Sequence, residues 1–256
     1  HIVLPTAERR FGHAVESFVA LSFMAARTAR IKLGTSVLVL PQRAPLLVAK
    51  QAASLHHLSG GRLVLGVGAG WLEEEFDALG YDFATRGRRT DEYLEFLRAA
   101  WSQGVAAFDG VEIKFSDIIS APRPDPANPI PVLVGGNSPA ALRRAARYAD
   151  GWQAEGVTPA ELRVHIERLV ELTGGRPLDI SARIATGVGR KYEQPQGPIV
   201  RQYARIEGTL QQVAEAVAAY AEAGLNELVL QLHGEDYLEQ LQAFAEEVMP
   251  AVSDAP

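Results

Sequence analysis

A glycine turn in the middle of the chain has the residue types that bind anions. Between an apolar stretch typical of a strand and a patterned stretch typical of a helix stand Gly135, Gly136, Asn137 and Ser138. Backbone N–H groups and the dipole at the start of a helix favour a phosphate or a similar anion. Glycine lets the anion approach closely, and Ser138 could cap the helix or donate to the anion. An ordinary turn with a serine cap would use the same residues.

A second stretch, RLVLGVGAGWLEEEF at residues 62–76, alternates glycine with apolar residues and then becomes acidic. Its glycines at 66, 68 and 70 leave one face of a buried strand without side chains, so that something flat or bulky could lie against the backbone. A helix then begins at Glu73–Glu75, where a solvated first turn explains the carboxylates and a general base is the less favoured interpretation. The stretch predicts a site at the C-terminal end of a strand, where α/β proteins place ligands.

Two tryptophans and two hydroxyl groups lie in or beside predicted strands. Trp71 and Trp152 could each form the wall of a substrate pocket for a flat ring, or belong to the core. Thr35 and Ser36 lie within a buried strand, where a hydroxyl group needs a hydrogen-bond partner. The simpler interpretation is a bond to neighbouring backbone. The other is a distorted strand that receives a ligand.

Histidine titrates near neutral pH, and two histidines lie where they could move protons or face a ligand. His1 is at the opening strand, and His233 ends the last predicted strand and so could face a pocket. A surface position is the alternative for His1. We predict no metal site, because the chain has no cysteine and its histidines lack a ligand-like spacing to carboxylates.

The elements that must position these residues alternate between strand and helix. The predicted strands are residues 2–5, 31–40, 62–66, 131–134, 151–154, 178–188 and 227–232. Such alternation with short links predicts a parallel sheet. Seven strands are one short of a closed barrel, and the chain opens on HIVLP, a strand already under way. We therefore predict an α/β fold, a TIM (β/α)8 barrel without its first β/α unit, with an open doubly wound sheet as the alternative.

Residues 105–131 interrupt the alternation. They contain Asp109-Gly110 between apolar stretches, which predicts a hairpin, followed by a proline-rich loop. We interpret them as an insertion between the fourth helix and the fifth strand of a single domain, residues 1–256. Residues 189–208 are predicted to form a long loop.

Composition excludes several classes of protein. The chain has 256 residues, of which 47% are hydrophobic, enough for a large core. A net charge of −6 argues against a nucleic-acid partner. No apolar run approaches the ~20 residues of a membrane span, so we expect no membrane partner and a cytoplasmic enzyme.

Four stretches in this order resemble the bacterial luciferase-like family. They are residues 33–41 (LGTSVLVLP), 50–76, 131–152 and 217–232, and they are most similar to the branch that uses the deazaflavin coenzyme F420. FMN-dependent members share the barrel and several motifs. The resemblance implies a TIM barrel with an insertion over its mouth and a reduced flavin or deazaflavin at the C-terminal ends of the strands.

The resemblance also implies which residues contact the cofactor. Ser36 and Val37 match a bulge, often a non-proline cis peptide, that lies behind the ring. Ala69 and Gly70 match positions beside the ring. The turn from Gly135 to Ser138 matches the phosphate loop, and Ala154 matches a position near the cofactor tail.

Two further matches concern the substrate. His1 matches a histidine that acts as a base in the sugar-phosphate dehydrogenase branch. That branch has a glutamate where this chain has Trp71, which argues against a sugar phosphate. An apolar substrate, aromatic or terpenoid-like, fits Trp71 better.

These implications predict an F420-dependent oxidoreductase that transfers a hydride between the deazaflavin and a small organic substrate. One alternative is an FMNH2-dependent monooxygenase, which would need a flavin reductase as partner. Another is a barrel that binds a flavin without catalysis. The family usually forms homodimers through its barrel helices, so a homodimer is expected.

Overall fold

The computed structural model describes residue 2 and residues 15–103, 107–192 and 203–253. His1 and most of the first predicted strand lie outside the described residues. The chain divides into two compact units, one of His1–Gly135 with Arg147–Asp150 and one of Gly136–Ala146 with Gly151–Pro256. Among the described residues, no helix combines the length and the apolar character that crossing a membrane requires.

The first unit is built around one buried strand. Its strands are β1 (Leu33–Gly34), β2 (Leu38–Val39), β3 (Leu63–Gly68), β4 (Phe108–Asp109), β5 (Lys114–Phe115) and β6 (Val132–Gly135). One edge of β3 pairs in parallel with β1 and then with β2, and its other edge pairs with β6. The aliphatic residues of β3 are largely buried, as expected for a strand covered on both faces.

Helices follow these strands as the sequence predicts. They are α1 (Ser17–Arg27), α2 (Pro45–Leu58), α3 (Glu73–Ala78) and α4 (Arg86–Gln103). Pro45 opens α2, where its missing N–H costs nothing and its fixed φ suits the first turn. The turn that follows α2 contains Gly60 and Gly61, both with positive φ.

The predicted hairpin in the insertion is present, but its turn is longer than Asp109-Gly110. Phe108 lies opposite Phe115 in the antiparallel pair of β4 and β5. The turn spans residues 110–113 because the Glu92 carboxylate of α4 accepts three of its backbone N–H groups, at 2.7 to 2.9 Å. A distant side chain, invisible to local sequence reasoning, decides the turn.

The second unit has its own parallel strands. They are β7 (Gly151–Glu155), β8 (Asp179–Val188), β9 (Arg205–Gly208) and β10 (Glu227–Leu232). The long β8 pairs with β10 on one edge and with β7 and then β9 on the other. The prediction of a loop across residues 189–208 is wrong for β9, in which only Ile206 is buried, too little for a recognisable strand pattern.

The helices of the second unit are α5 (Pro139–Tyr148), α6 (Pro159–Thr173), α7 (Leu210–Glu222), α8 (Tyr237–Ala243) and α9 (Met249–Ser253). A π-helical segment, Phe244–Val248, joins the last two. Within each unit, parallel strands are followed by helices along the chain. The predicted α/β class is therefore confirmed.

Candidate active site

The strand predicted at residues 31–40 is interrupted where a site residue was expected. It splits into β1 and β2, and the Ser36–Val37 peptide between them is cis. This confirms the bulge that the family resemblance implied. Thr35 is buried and its hydroxyl donates to the carbonyl oxygen of Gly66 at 2.7 Å. The simpler interpretation, a hydroxyl bonded to neighbouring backbone, is confirmed for Thr35.

The glycines of β3 and β6 make room for the protein itself. A Cβ at Gly68 would lie 2.8 Å from Cγ2 of Val37, and one at Gly135 would lie 2.8 Å from Cγ1 of the same side chain. A Cβ at Gly66 would overlap the carbonyl oxygen of Thr35. The expectation that something flat or bulky lies against this bare backbone is met by the protein itself, because Val37 and Thr35 occupy the space.

The C-terminal end of β3 leads into the predicted ring-contacting residues. Ala69 and Gly70 are half-buried, and Gly70 has a φ of +79°. A Cβ at Gly70 would lie 2.6 Å from Cγ1 of Val39 and 2.8 Å from the ring of Phe76, so only glycine fits. Trp71 follows and is partly exposed. Its predicted role in a substrate pocket stays a prediction.

Glu75 is a buried carboxylate that the sequence interpretation placed in solvent. Glu73 and Glu74 are exposed as expected, but Glu75 is only 1% exposed. It accepts hydrogen bonds from the side chain of Gln42 at 3.0 Å and from the backbone N–H of Ile2 at 2.5 Å. The expectation fails because Glu75 shares the inward face of α3 with Phe76. The helical spacing from Leu72, also buried, was the available signal.

In the second unit, the Asn137 turn (residues 136–138) is held by polar bonds. The Asn137 side chain donates from Nδ2 to the carbonyl oxygen of Glu155 at 2.7 Å, and its Oδ1 accepts the N–H of Glu155 at 3.0 Å. The Gly136 N–H donates to Gln153. Asn137 therefore extends the hydrogen-bond ladder of β7 with its side chain, which sequence reasoning did not foresee.

Two backbone N–H groups at this turn, those of Asn137 and Ser138, are available for a ligand. Ser138 caps α5, since its Oγ accepts the N–H of Ala141 at 3.2 Å. Gly136 has a φ of +114°, a conformation that favours glycine. In the part of the chain that the structure describes, the N–H groups of Asn137 and Ser138 have no acceptor. These donors, at the start of a helix, suit an anion such as phosphate.

Trp152 and Ala154 lie in β7 behind the Asn137 turn. Trp152 is 0% exposed, packs edge-on against His165 and donates from Nε1 to the carbonyl oxygen of Gly136 at 2.8 Å. Of the two interpretations of Trp152, the structure supports core over pocket wall, because a fully buried ring cannot line a cavity. Ala154 is also fully buried, and its place near a cofactor tail stays a prediction.

His233 lies immediately after β10, as the sequence indicated. Burial lowers the pKa of its imidazole below the ordinary 6.5, so the ring is neutral at pH 7. Its neighbours are Gln231, Tyr192 and Gln240. Across residues 15–103, 107–192 and 203–253, no three His, Asp or Glu side chains are grouped to hold a metal ion.

Parallel strands are followed by helices, and Ser36, Ala69 and His233 lie at or just beyond the C-terminal ends of β1, β3 and β10. That placement is the one found in TIM-barrel enzymes. The sequence model of the luciferase-like monooxygenase family matches residues 3–196. The chain belongs to this family, and the predicted recognition is confirmed.

Individual relatives extend this result. An uncharacterized protein of Mycobacterium tuberculosis is 45% identical over 159 residues, which are 62% of this chain and 54% of that protein. The chain thus spans about half the length of the first such relatives. An F420-dependent glucose-6-phosphate dehydrogenase of Kineococcus radiotolerans is 28% identical across 93% of this chain and 83% of its own length.

A solved structure gives the same fold. The monooxygenase RslO1 from Streptomyces bottropensis superimposes with a TM-score of 0.81 at 21% identity, over 95% of this chain and 85% of that one. The predicted barrel class is confirmed by this likeness. The family contains oxidoreductases and monooxygenases, as the sequence analysis expected.

Proposed function

We propose that the chain is an F420-dependent oxidoreductase that acts on a small organic substrate. The observation that carries the proposal is the Asn137 turn, whose side chain is bonded to β7 while two backbone N–H groups at the start of α5 have no protein acceptor among the described residues. F420 carries a phosphate in its tail, and such donors would bind it. The Kineococcus relative, matched over most of both chains, supports F420 over FMN.

The family resemblance gives each candidate residue its part in the proposal. The backbone at Ser36 and Val37 and the residues Ala69 and Gly70 would position the deazaflavin ring. Gly136, Asn137 and Ser138 would hold the phosphate, and Ala154 would support the tail. The cofactor supplies a hydride carrier, and the protein supplies position and shields the reacting carbon from water.

Cofactor binding tests the proposal directly. Purified protein is titrated with F420 and with FMN, and affinity is followed by fluorescence. We expect F420 to bind at micromolar or lower concentration and FMN to bind at least about tenfold more weakly, a difference of about 1.4 kcal/mol. Tight FMN binding without F420 binding would overturn the proposal.

The second candidate is an FMNH2-dependent monooxygenase, favoured by the match of residues 3–196 to the model of luciferase-like monooxygenases. It predicts oxygen consumption when a flavin reductase and NADH are supplied, whereas the F420 enzyme predicts reduction of F420 by an alcohol without oxygen uptake. Binding of either cofactor without turnover of any substrate favours a barrel without catalysis. A homodimer remains a prediction, which sedimentation of the full chain would check.

A further inference from the structure

The end of β10 carries a polar cluster that the proposed function does not use. The Nε2 atom of His233 lies 3.2 Å from Nε2 of Gln231. An amide nitrogen only donates hydrogen bonds, so the imidazole Nε2 must accept and the ring proton lies on Nδ1. Gln231 therefore fixes the tautomer of His233.

The backbone of His233 is held as firmly as its ring. Gln240, which is 3% exposed, donates from Nε2 to the carbonyl oxygen of His233 at 2.9 Å and to Asp236 Oδ1 at 3.0 Å. Its Oε1 accepts the N–H of Val188, the last residue of β8, at 3.2 Å. One buried amide thus ties the C-terminal ends of two parallel strands and fixes the position of His233.

The Nδ1–H group of His233 has no hydrogen-bond acceptor within the described protein. The ring is half-buried and meets the ring of Tyr192 edge-to-face with centroids 5.4 Å apart. Within the described ranges, no residue accepts a hydrogen bond from its Nδ1. The nearby positive charge of Arg190 is paired with Asp236 at 2.6 Å. The result is a neutral N–H donor, held in place and still accessible.

We propose that His233 is a substrate-binding residue that donates a hydrogen bond from Nδ1 to a carbonyl or hydroxyl oxygen of the substrate. This inference rests on the proposed oxidoreductase function. A neutral imidazole N–H can polarise a carbonyl group without losing its proton. Because Asp236 already pairs with Arg190, an uncharged ketone or alcohol fits the cluster better than a carboxylate.

The tautomer can be measured without any activity. The full chain labelled with nitrogen-15 histidine is studied by NMR at neutral pH, and the His233→Phe variant assigns the signal. We expect a protonated Nδ1 and an unprotonated Nε2. Gln231→Met, which keeps the shape but removes the donor, should shift the ring toward the other tautomer. A protonated Nε2 in the wild type would overturn the proposal, as would a tautomer unchanged in Gln231→Met.

The oxygen preference is tested with two aromatic probes of similar size. Acetophenone has a ketone oxygen, and ethylbenzene lacks it. We expect saturating acetophenone to move the Nδ1 proton of His233 downfield and ethylbenzene to leave it unchanged. Equal shifts with both probes, or none with the ketone, contradict the proposal. His57→Phe, at an exposed histidine of α2, should change neither response.

Turnover separates this inference from the proposed function. If an alcohol reduces F420, His233→Phe should lower kcat/KM about 10²-fold and leave F420 affinity unchanged, as expected for loss of one oxygen-binding donor. An unchanged kcat/KM would overturn the role of His233 alone. Failure of F420 to bind would overturn the proposed function, while the ketone shift is still read without cofactor.

Discussion

The surroundings of Val37 and the Asn137 turn fix the backbone by opposite means. Around Val37 the chain removes side chains, because Gly66, Gly68 and Gly135 leave room only for the neighbouring segment. At the Asn137 turn a side chain takes the part of backbone, because the amide of Asn137 forms the two hydrogen bonds to Glu155 that a neighbouring strand residue would form.

The difference predicts how each region fails. A close-packed apolar region is disrupted by a larger side chain, because the packed interior has no free space for the added atoms. A polar brace is destroyed by removing its donor or acceptor, which leaves its partner without a hydrogen bond. Glycine substitutions should therefore damage the fold around Val37, and amide substitutions should damage ligand binding at the Asn137 turn.

The largest effect is expected for Gly66→Ala. The added methyl would overlap the carbonyl oxygen of Thr35, which is backbone and cannot swing away. We expect a loss of about 3 kcal/mol or more in the free energy of unfolding, measured by urea denaturation. Gly34→Ala is the matched control on the paired strand β1, since its methyl would meet nothing closer than 3.6 Å. Equal stabilities of the two variants would refute the packing argument.

Asn137→Ala should have the second-largest effect. It removes both side-chain bonds to Glu155 and should cost about 1–3 kcal/mol of stability. It should also weaken F420 binding, measured by titration, because the turn loses its fixed shape. Asn226→Ala is the control, since Oδ1 of Asn226 accepts the N–H of Ile180 at 2.7 Å at the other end of the strands. If both variants lose F420 affinity equally, the turn has no special role in binding.

Trp152→Phe should have a smaller effect. It removes the bond from Nε1 to the carbonyl oxygen of Gly136 and leaves that acceptor short of a partner, at about 1–2 kcal/mol. Trp101→Phe removes the analogous bond to Ala49, at 3.1 Å in the first unit. Both should lower the urea midpoint, but only the first should weaken F420 binding. If Trp152→Phe binds F420 with normal affinity, the indole hydrogen bond is not needed for F420 binding at the turn.

The smallest effect concerns pH. The folded-state pKa of His233 lies below 6.5, so the unfolded chain binds the proton more readily and stability falls as pH drops from 6.5 toward the folded pKa. At Glu16, burial raises the pKa of the carboxyl group, but hydrogen bonds from Val19, Arg43 and Phe18 lower it by more. The folded-state pKa therefore lies below 4.5, and the stability that Glu16 contributes is lost as the pH falls below 4.5. Urea denaturation against pH should show His233→Phe flattening the higher window and Glu16→Gln the lower one.

Sequence reasoning identified the right positions more often than the right reasons. The break at Ser36–Val37 follows from the resemblance, and the strands and most helices follow from periodicity. The glycines of β3 were correctly singled out, but their purpose depends on Val37, more than 25 residues away along the chain. Glu75 was placed in solvent, because a run of three carboxylates does not reveal which one faces inward.

The sequence by itself determined the alternation of strands and helices, the family and the location of the Asn137 turn, because these depend on local periodicity and on short motifs. Only the tertiary structure decided what fills the glycine face, which carboxylate is buried and which ring nitrogen of His233 carries the proton. Each of these depends on an atom brought near by folding from elsewhere in the chain: Val37 against Gly68, Gln42 beside Glu75, Gln240 on the backbone of His233. Even Gln231, only two residues from His233, fixes the tautomer through the positions that folding gives the two side chains.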